Sequence, residues 1–243
     1  MKIIPNINSE DIIYTYKEQV FTGFAPCFQD GIYSLACCKG AMNGKGMRQS
    51  ICKTIDSGKT VWVMAIAGCD IKHSNNNTSG ISYEPGDALY LARIDKICTW
   101  YEYSTLDNYC KRKDSYYVLK DGMVDWRKIQ DNLHSNEINK LTDCGIGLRN
   151  LKGRTEADIF KNDKQILLAK EYYVFDKGQR LSGVDVYKTI DVNRGYSYIE
   201  KTKPSRTSIL KEFLKRNHSF KFCGGKDPFT DTALTKEGGC RRK

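Results

Sequence analysis

TVWVMAIA, residues 60–67, decides the fold. It is a continuous apolar run of strand length, stopped by Gly68, and such a run suits a strand buried on both faces. A strand of that kind needs a layer on each side. The chain therefore reads as an α/β (α+β) protein built on a compact mixed or antiparallel sheet with flanking helices. Working outward, residues 12–21 (IIYTYKEQVF) alternate, with Ile12, Tyr14, Tyr16 and Val20 opposite Thr15, Lys17 and Gln19, which predicts an opening strand. Residues 88–97 (ALYLARIDKI) place Tyr90, Ala92 and Ile94 against Arg93 and Asp95, a second half-buried strand after the turn EPGD. In QILLAKEYYVF, residues 165–175, Ile166, Leu168, Tyr172 and Val174 alternate with Leu167, Ala169, Tyr173 and Phe175, and this predicts one late core strand.

The connecting text is of a different character. Residues 22–31 (TGFAPCFQDG) are punctuated by Gly23, Pro26 and Gly31, and residues 33–47 are rich in small residues and glycine, so the region reads as a loop layer. The Asn-rich stretch 73–80 is too polar to pack. Trp126, Ile129 and Leu133 are spaced three and four apart in residues 123–134, which predicts a short amphipathic helix. Beyond Gly178 a C-terminal extension, residues 179–243, carries a basic amphipathic helix over 205–217, with Ile209, Leu210, Phe213 and Leu214 on one stripe, followed by a Gly-rich polar end.

Composition narrows the function classes. With 39 Lys+Arg against 29 Asp+Glu, the 243-residue chain carries a formal charge of +10, a balance that favours anionic partners such as nucleic acid or a nucleotide. No apolar run is long enough to span a bilayer, and the opening MKIIPNINSEDII lacks the pattern of a secretory signal, so a cytoplasmic location and no membrane role are expected. In that setting the ten cysteines read as reduced thiols. Zinc sites pair their ligands two to four residues apart, but the chain has no CxxC, Cys37 and Cys38 are adjacent, and His73, His134 and His218 stand apart from other ligands. Neither a metal nor another cofactor is expected.

Residues 98–119 (CTWYEYSTLDNYCKRKDSYYVL) interleave Trp100, Tyr101, Tyr103, Tyr109, Tyr116 and Tyr117 with Lys111, Arg112 and Lys113. Rings that stack on bases beside cations that meet phosphate are the composition of a nucleic-acid surface. Tyrosines lining a small barrel or a helix-to-sheet contact have the same composition, with each hydroxyl satisfied internally.

Four ordered blocks resemble the nucleotide modification associated domain 2 family. They are the opening strand with TGFAP; GIYSLACCK; TVWVMAIAG with the nearby LYLARIDKICTWYEY; and ILLAKEYYVFDKG, together spanning about residues 12 to 178. The matching positions are Gly23, Phe24, Ala25 and Pro26; Leu35, Cys37, Cys38 and Lys39; Trp62; Tyr101 and Tyr103; and Tyr172 and Tyr173. The Asn-rich residues 74–78, the segment near Trp126 and the tail after 178 depart from the pattern. The resemblance implies an association with modified nucleotides in phage and bacterial genomes and a sheet-based core, residues 1–178, similar to PUA-like barrels that sense modified bases.

Three function classes follow. A reader of a nucleotide, nucleobase or nucleic acid would use Phe24, Trp62, Tyr101 and Tyr103 as aromatic walls and Lys39, Arg48, Lys111 and Arg112 against phosphates. A nucleotide- or base-modifying enzyme would use Cys38, activated beside Lys39 in the Cys37-Cys38-Lys39 loop, or Glu102, placed to read a base edge. An interaction protein would dock a protein partner through the basic helix 205–217. Gly44, Lys45, Gly46 and Arg48 offer a phosphate loop without Walker spacing, and a solvated turn accounts for them as well.

Overall fold

In a computed structural model the protein is a mixed α+β fold whose strands form two main sheets and a separate hairpin. The structure describes residues 5–19, 21, 23, 25–36, 46–72, 77, 79–115, 117–126, 153, 155–176, 179, 196–198, 212–213 and 220–223. The central strand β3 (Val61–Ala67) is buried at every position, as its unbroken apolar run requires. On one side it pairs in parallel with β1 (Ile12–Glu18), and on the other antiparallel with β4 (Ala88–Ile94). The parallel pairing demands a crossover, and residues 19–60 supply it, carrying strand β2 (Tyr33–Leu35) and helix α1 (Met47–Asp56). Strand β9 (Glu171–Phe175) extends the sheet from β4.

Both outer edges come from beyond residue 178. Tyr196–Tyr198 (β10) pairs with β1 and Phe220–Cys223 (β11) pairs with β9, giving the order β10-β1-β3-β4-β9-β11. Part of the expected extension is therefore built into the core sheet. Of the expected helix 205–217 only Glu212 and Phe213 are described; Phe213 is buried, its ring 6.1 Å from that of Phe175.

A second sheet, β2-β8-β5, joins the first through a corner. Strand β5 (Lys96–Thr99) follows β4 after Asp95, and β9 follows β8 (Lys164–Ala169) after Lys170. The two bends face each other: the Asp95 N–H donates to the Leu168 carbonyl at 3.0 Å, and the Lys170 N–H donates to Asp95 Oδ2 at 2.8 Å. At Asp95 the backbone thus passes from the large sheet to the small one, and at Lys170 it returns. Among the described residues the two sheets do not close into a barrel.

The corner corrects the reading of residues 165–175 as one alternating strand. Leu167 and Ala169 share the inner core with Tyr172 and Val174, whereas Ile166 and Leu168 pack on the far side of the small sheet. The extra residue at the bend shifts the phase, so the inward set changes parity at Lys170. Other expectations are also corrected. Tyr33–Leu35, within the expected loop layer, is a strand paired with β8, and it escapes notice because three residues are too few to show a period. The helix expected near Trp126 is instead the strand β7 (Met123–Trp126), paired with β6 (Tyr117–Lys120); Ile129 and Leu133 lie outside the described residues. Asp121-Gly122, a strong hairpin turn, outweighs the three-and-four spacing.

Between the sheets lies an aromatic interior. Phe28 contacts the rings of Phe21, Tyr33, Tyr90 and Tyr172 at centroid distances of 5.2 to 6.1 Å, mostly edge-on or tilted. Their hydroxyls are shared internally. Tyr90 is hydrogen-bonded to Tyr16, Tyr33 lies 3.3 Å from the Tyr90 hydroxyl, and the Tyr83 hydroxyl donates to the Phe175 carbonyl at 2.6 Å. Burial, then the neighbouring Tyr33 and Glu18, push the Tyr90 phenol well above its ordinary range, so it stays protonated.

Candidate nucleic-acid interface

The outer face of the small sheet is covered by residues 99–126 and by helix α4 (Glu156–Asn162), around Cys98, Trp100, Tyr103, Ile159, Phe160, Ile166 and Leu168. Helix α2 (Trp100–Thr105) starts in a capping box. Thr99 Oγ1 accepts from the Glu102 N–H at 3.1 Å, and Glu102 Oε2 accepts from the Thr99 N–H at 2.7 Å. Two donors left over at the helix start are satisfied in this way. The helix then presents alternate aromatics to opposite environments: Trp100 and Tyr103 are buried, while Tyr101 is 44% exposed. Leu106, which leads into helix α3 (Asp107–Cys110), is 43% exposed.

Ring packing fixes the buried side. Trp100 meets Tyr117 edge-on at 4.8 Å, and Tyr103 stacks on Tyr109 at 5.5 Å, with Lys96 Nζ 5.1 Å from the Tyr109 centroid. A buried polar clip ties the segment to the crossover. Arg112 donates through Nε to the Tyr103 hydroxyl at 2.8 Å and through Nη2 to the Ile32 carbonyl and Ser34 Oγ, each at 2.9 Å; Nη1 reaches the Gln29 carbonyl. Asp114 accepts from Ser34 Oγ at 2.6 Å and from the Tyr103 hydroxyl at 2.7 Å, and lies 3.6 Å from Arg112 Nε. Burial, then the Asp114 charge, raise the Tyr103 phenol far above its ordinary value, so it remains a donor to the carboxylate.

The structure divides the residues singled out in the sequence. Tyr101 and Lys111 are exposed on this unit. Tyr103 and Arg112 belong to the buried clip, where every guanidinium nitrogen already serves an internal acceptor. Trp62 is buried in the large sheet, its Nε1 donating to Asp11 Oδ2 at 2.9 Å. Arg48 is buried on α1 and donates through Nη1 to the Gln165 carbonyl at 2.8 Å. Glu102, a candidate base-edge reader or catalytic carboxylate, is the closing member of the capping box. Phe24, Cys37, Cys38 and Lys39, with Gly44 and Lys45, lie outside the described residues.

The hairpin β6–β7 completes the unit and was missed in the sequence. Asp121 and Gly122 take φ values of 50° and 77°, the paired left-handed conformations of a two-residue turn that matches strand twist. Met123, immediately after the turn, is 71% exposed. The dipeptide Asp-Gly between two strand-like runs is the sequence signal for it.

Cys27, Cys52, Cys69, Cys98 and Cys110 are free thiols; Cys27, Cys52 and Cys98 are buried, Cys69 is exposed and Cys110 half-exposed. Burial first, and then Asp114, push the Cys27 thiol up to about 12; burial and then Glu102 push Cys98 to about 12 as well. Among the described residues no group of three or more His, Cys, Asp or Glu side chains is arranged to hold a metal ion, and no helix is long and apolar enough to cross a membrane. No family model, no curated protein and no solved structure matches the chain.

Proposed function

We propose that the protein binds a nucleotide or nucleobase presented by nucleic acid, in the phage or bacterial DNA-modification or defence setting implied by its resemblance to the nucleotide modification associated domain 2 family. One observation carries the reading. The exposed large apolar side chains among the described residues, Tyr101, Leu106 and Met123, all belong to residues 99–126, where Lys111 and Lys120 are also exposed. Their exposure within one short stretch of chain makes that stretch the candidate contact surface. Lysines stand between them, and the charge of +10 on the whole chain favours an anionic partner, for which exposed rings offer stacking. The segment itself holds five acids, Glu102, Asp107, Asp114, Asp121 and Asp125, against Lys111, Arg112, Lys113 and Lys120, so the attraction to an anion is that of the whole chain, and Lys111 and Lys120 are the exposed cations that would meet phosphates. The bent strands shared by two sheets are compatible with a relation to PUA-like folds, with the barrel itself left open. A cytoplasmic site of action, where the thiols stay reduced, belongs to the same proposal.

Fluorescence anisotropy with short labelled single strands and duplexes, titrated at rising salt, tests it. Binding is expected to weaken linearly in log salt, and Lys111→Glu should reduce the slope by about one unit. Tyr101→Ala should cost about 1–3 kcal/mol on a single strand. Salt-insensitive binding, or none, would overturn the reading.

A further inference from the structure

The net charge is unevenly placed along the chain. Residues 179–243 hold 15 of the 39 Lys+Arg and 7 of the 29 Asp+Glu, whereas residues 1–178 are nearly balanced, with 24 bases against 22 acids. Most of the excess therefore belongs to the C-terminal extension. Within it, residues 199–219 carry Lys201, Lys203, Arg206, Lys211, Lys215 and Arg216 against Glu200 and Glu212. The fold fixes both ends of that stretch: β10 precedes it on the β1 edge of the large sheet, and β11 follows it on the β9 edge. Five strand spacings separate those edges, about 24 Å at about 4.8 Å each. Glu212 and Phe213 are helical; Glu212 is exposed, and Phe213 is buried in one cluster with Trp62, Leu91 and Phe175. The described member of the expected apolar stripe thus packs on the protein's own sheet.

We infer that residues 199–219 are a phosphate-binding band, pinned at both edges of the large sheet, that meets the backbone of nucleic acid without reading its sequence. This rests on the nucleic-acid reading above and adds to Lys111 and Lys120 the larger share of its phosphate contacts. Apolar surface decides among anionic partners. An amphipathic helix holds a membrane by burying its apolar side there, and a stable protein interface needs an apolar centre; Phe213, from the apolar side of this segment, is already buried in the protein's own core. A linear polyanion asks only for the cations, because release of its condensed counterions drives binding. Over about 24 Å one nucleic-acid strand presents about seven phosphates, at about 3.4 Å each, enough to engage all the cations of the band.

Anisotropy of two labelled duplexes of unrelated sequence, titrated over a range of salt, tests the assignment. The triple variant Lys211→Gln, Lys215→Gln, Arg216→Gln should lower the slope of log affinity against log salt by about three units, at about 0.9 for each phosphate contact, and weaken binding to both duplexes alike. A control triple, Lys53→Gln, Lys59→Gln, Lys161→Gln, removes as much charge from exposed positions of the balanced part and should leave the slope unchanged. Should the first triple melt early by circular dichroism, its three single variants replace it, each lowering the slope by about one unit. Equal losses of slope in the two triples, or an unaltered slope in the first, would overturn the band and leave the nucleic-acid reading standing. Tighter binding to anionic phospholipid vesicles than to either duplex would also overturn the band. Absence of any binding to duplex or single strand would overturn both.

Discussion

Two regions of this molecule are equally rich in aromatic side chains and use them in opposite ways. Between the sheets, Tyr16, Tyr33, Tyr90 and Tyr172 are closed off from solvent, with Tyr16, Tyr33 and Tyr90 directing their hydroxyls toward one another. On residues 99–126, Trp100, Tyr103 and Tyr117 face inward, while Tyr101, Leu106 and Met123 face out. The difference teaches that aromatic content does not mark a binding surface. What marks it is an aromatic or apolar side chain whose burial the fold does not require. By that criterion the first region is scaffold, and the second is the face proposed for contact.

The largest effect that tests this comparison is alkaline unfolding. The buried Cys27 and Cys98 thiols rise from the ordinary 9.0 to about 12, and the Tyr90 and Tyr103 phenols are raised as well. A raised folded value means stability that is complete below pH 9.0 and is lost as the pH climbs toward about 12. Circular dichroism against pH should therefore show cooperative loss of structure in that window. Alkylation mapped by mass spectrometry at mildly alkaline pH should modify the exposed Cys69 and spare Cys27 and Cys98. Early labelling of the latter pair would show that the interior is less closed than described.

Next in size is the clip. Arg112→Met leaves the buried Asp114 without its cation and should cost about 3–5 kcal/mol, read as a lower urea midpoint. A near-neutral result would remove the clip as the anchor of residues 99–126. Tyr90→Phe deletes the hydroxyl to which both Tyr16 and Tyr33 turn, and a loss of about 1–3 kcal/mol is expected in the same assay. Thr99→Ala removes the α2 cap for about 1 kcal/mol. Smallest of all is Tyr101→Ala, which should change stability by less than about 0.5 kcal/mol while weakening nucleic-acid binding. Comparable stability losses for Tyr90→Phe and Tyr101→Ala would erase the distinction between the regions.

Much of this architecture was legible in the sequence, because Val61–Ala67 is an unbroken apolar run and its neighbours alternate in sequence, although β1 and β4 are buried at nearly every position and not on one face alone. The corner was not. A strand that bends between sheets keeps its apolar residues but changes which parity faces inward, and residues 165–175 look the same on paper in either case. Part of the candidate face rests on local motifs that the sequence reading passed over: Thr99-Trp-Tyr-Glu102 is a capping box and Asp121-Gly122 a hairpin turn. Long-range polar contacts were beyond reach, since Arg112 and Ser34 meet across 78 positions of chain and no spacing rule joins them. For that reason composition left Tyr103 and Arg112 open to a surface or an interior reading, and the fold buries both.

Hydrogen exchange followed by mass spectrometry, with and without a saturating DNA duplex, tests the central claim most directly. The account predicts new protection in peptides covering residues 99–126, with β1, β3 and β4 unchanged. Protection confined to other segments, with residues 99–126 exchanging as in the free protein, would contradict it.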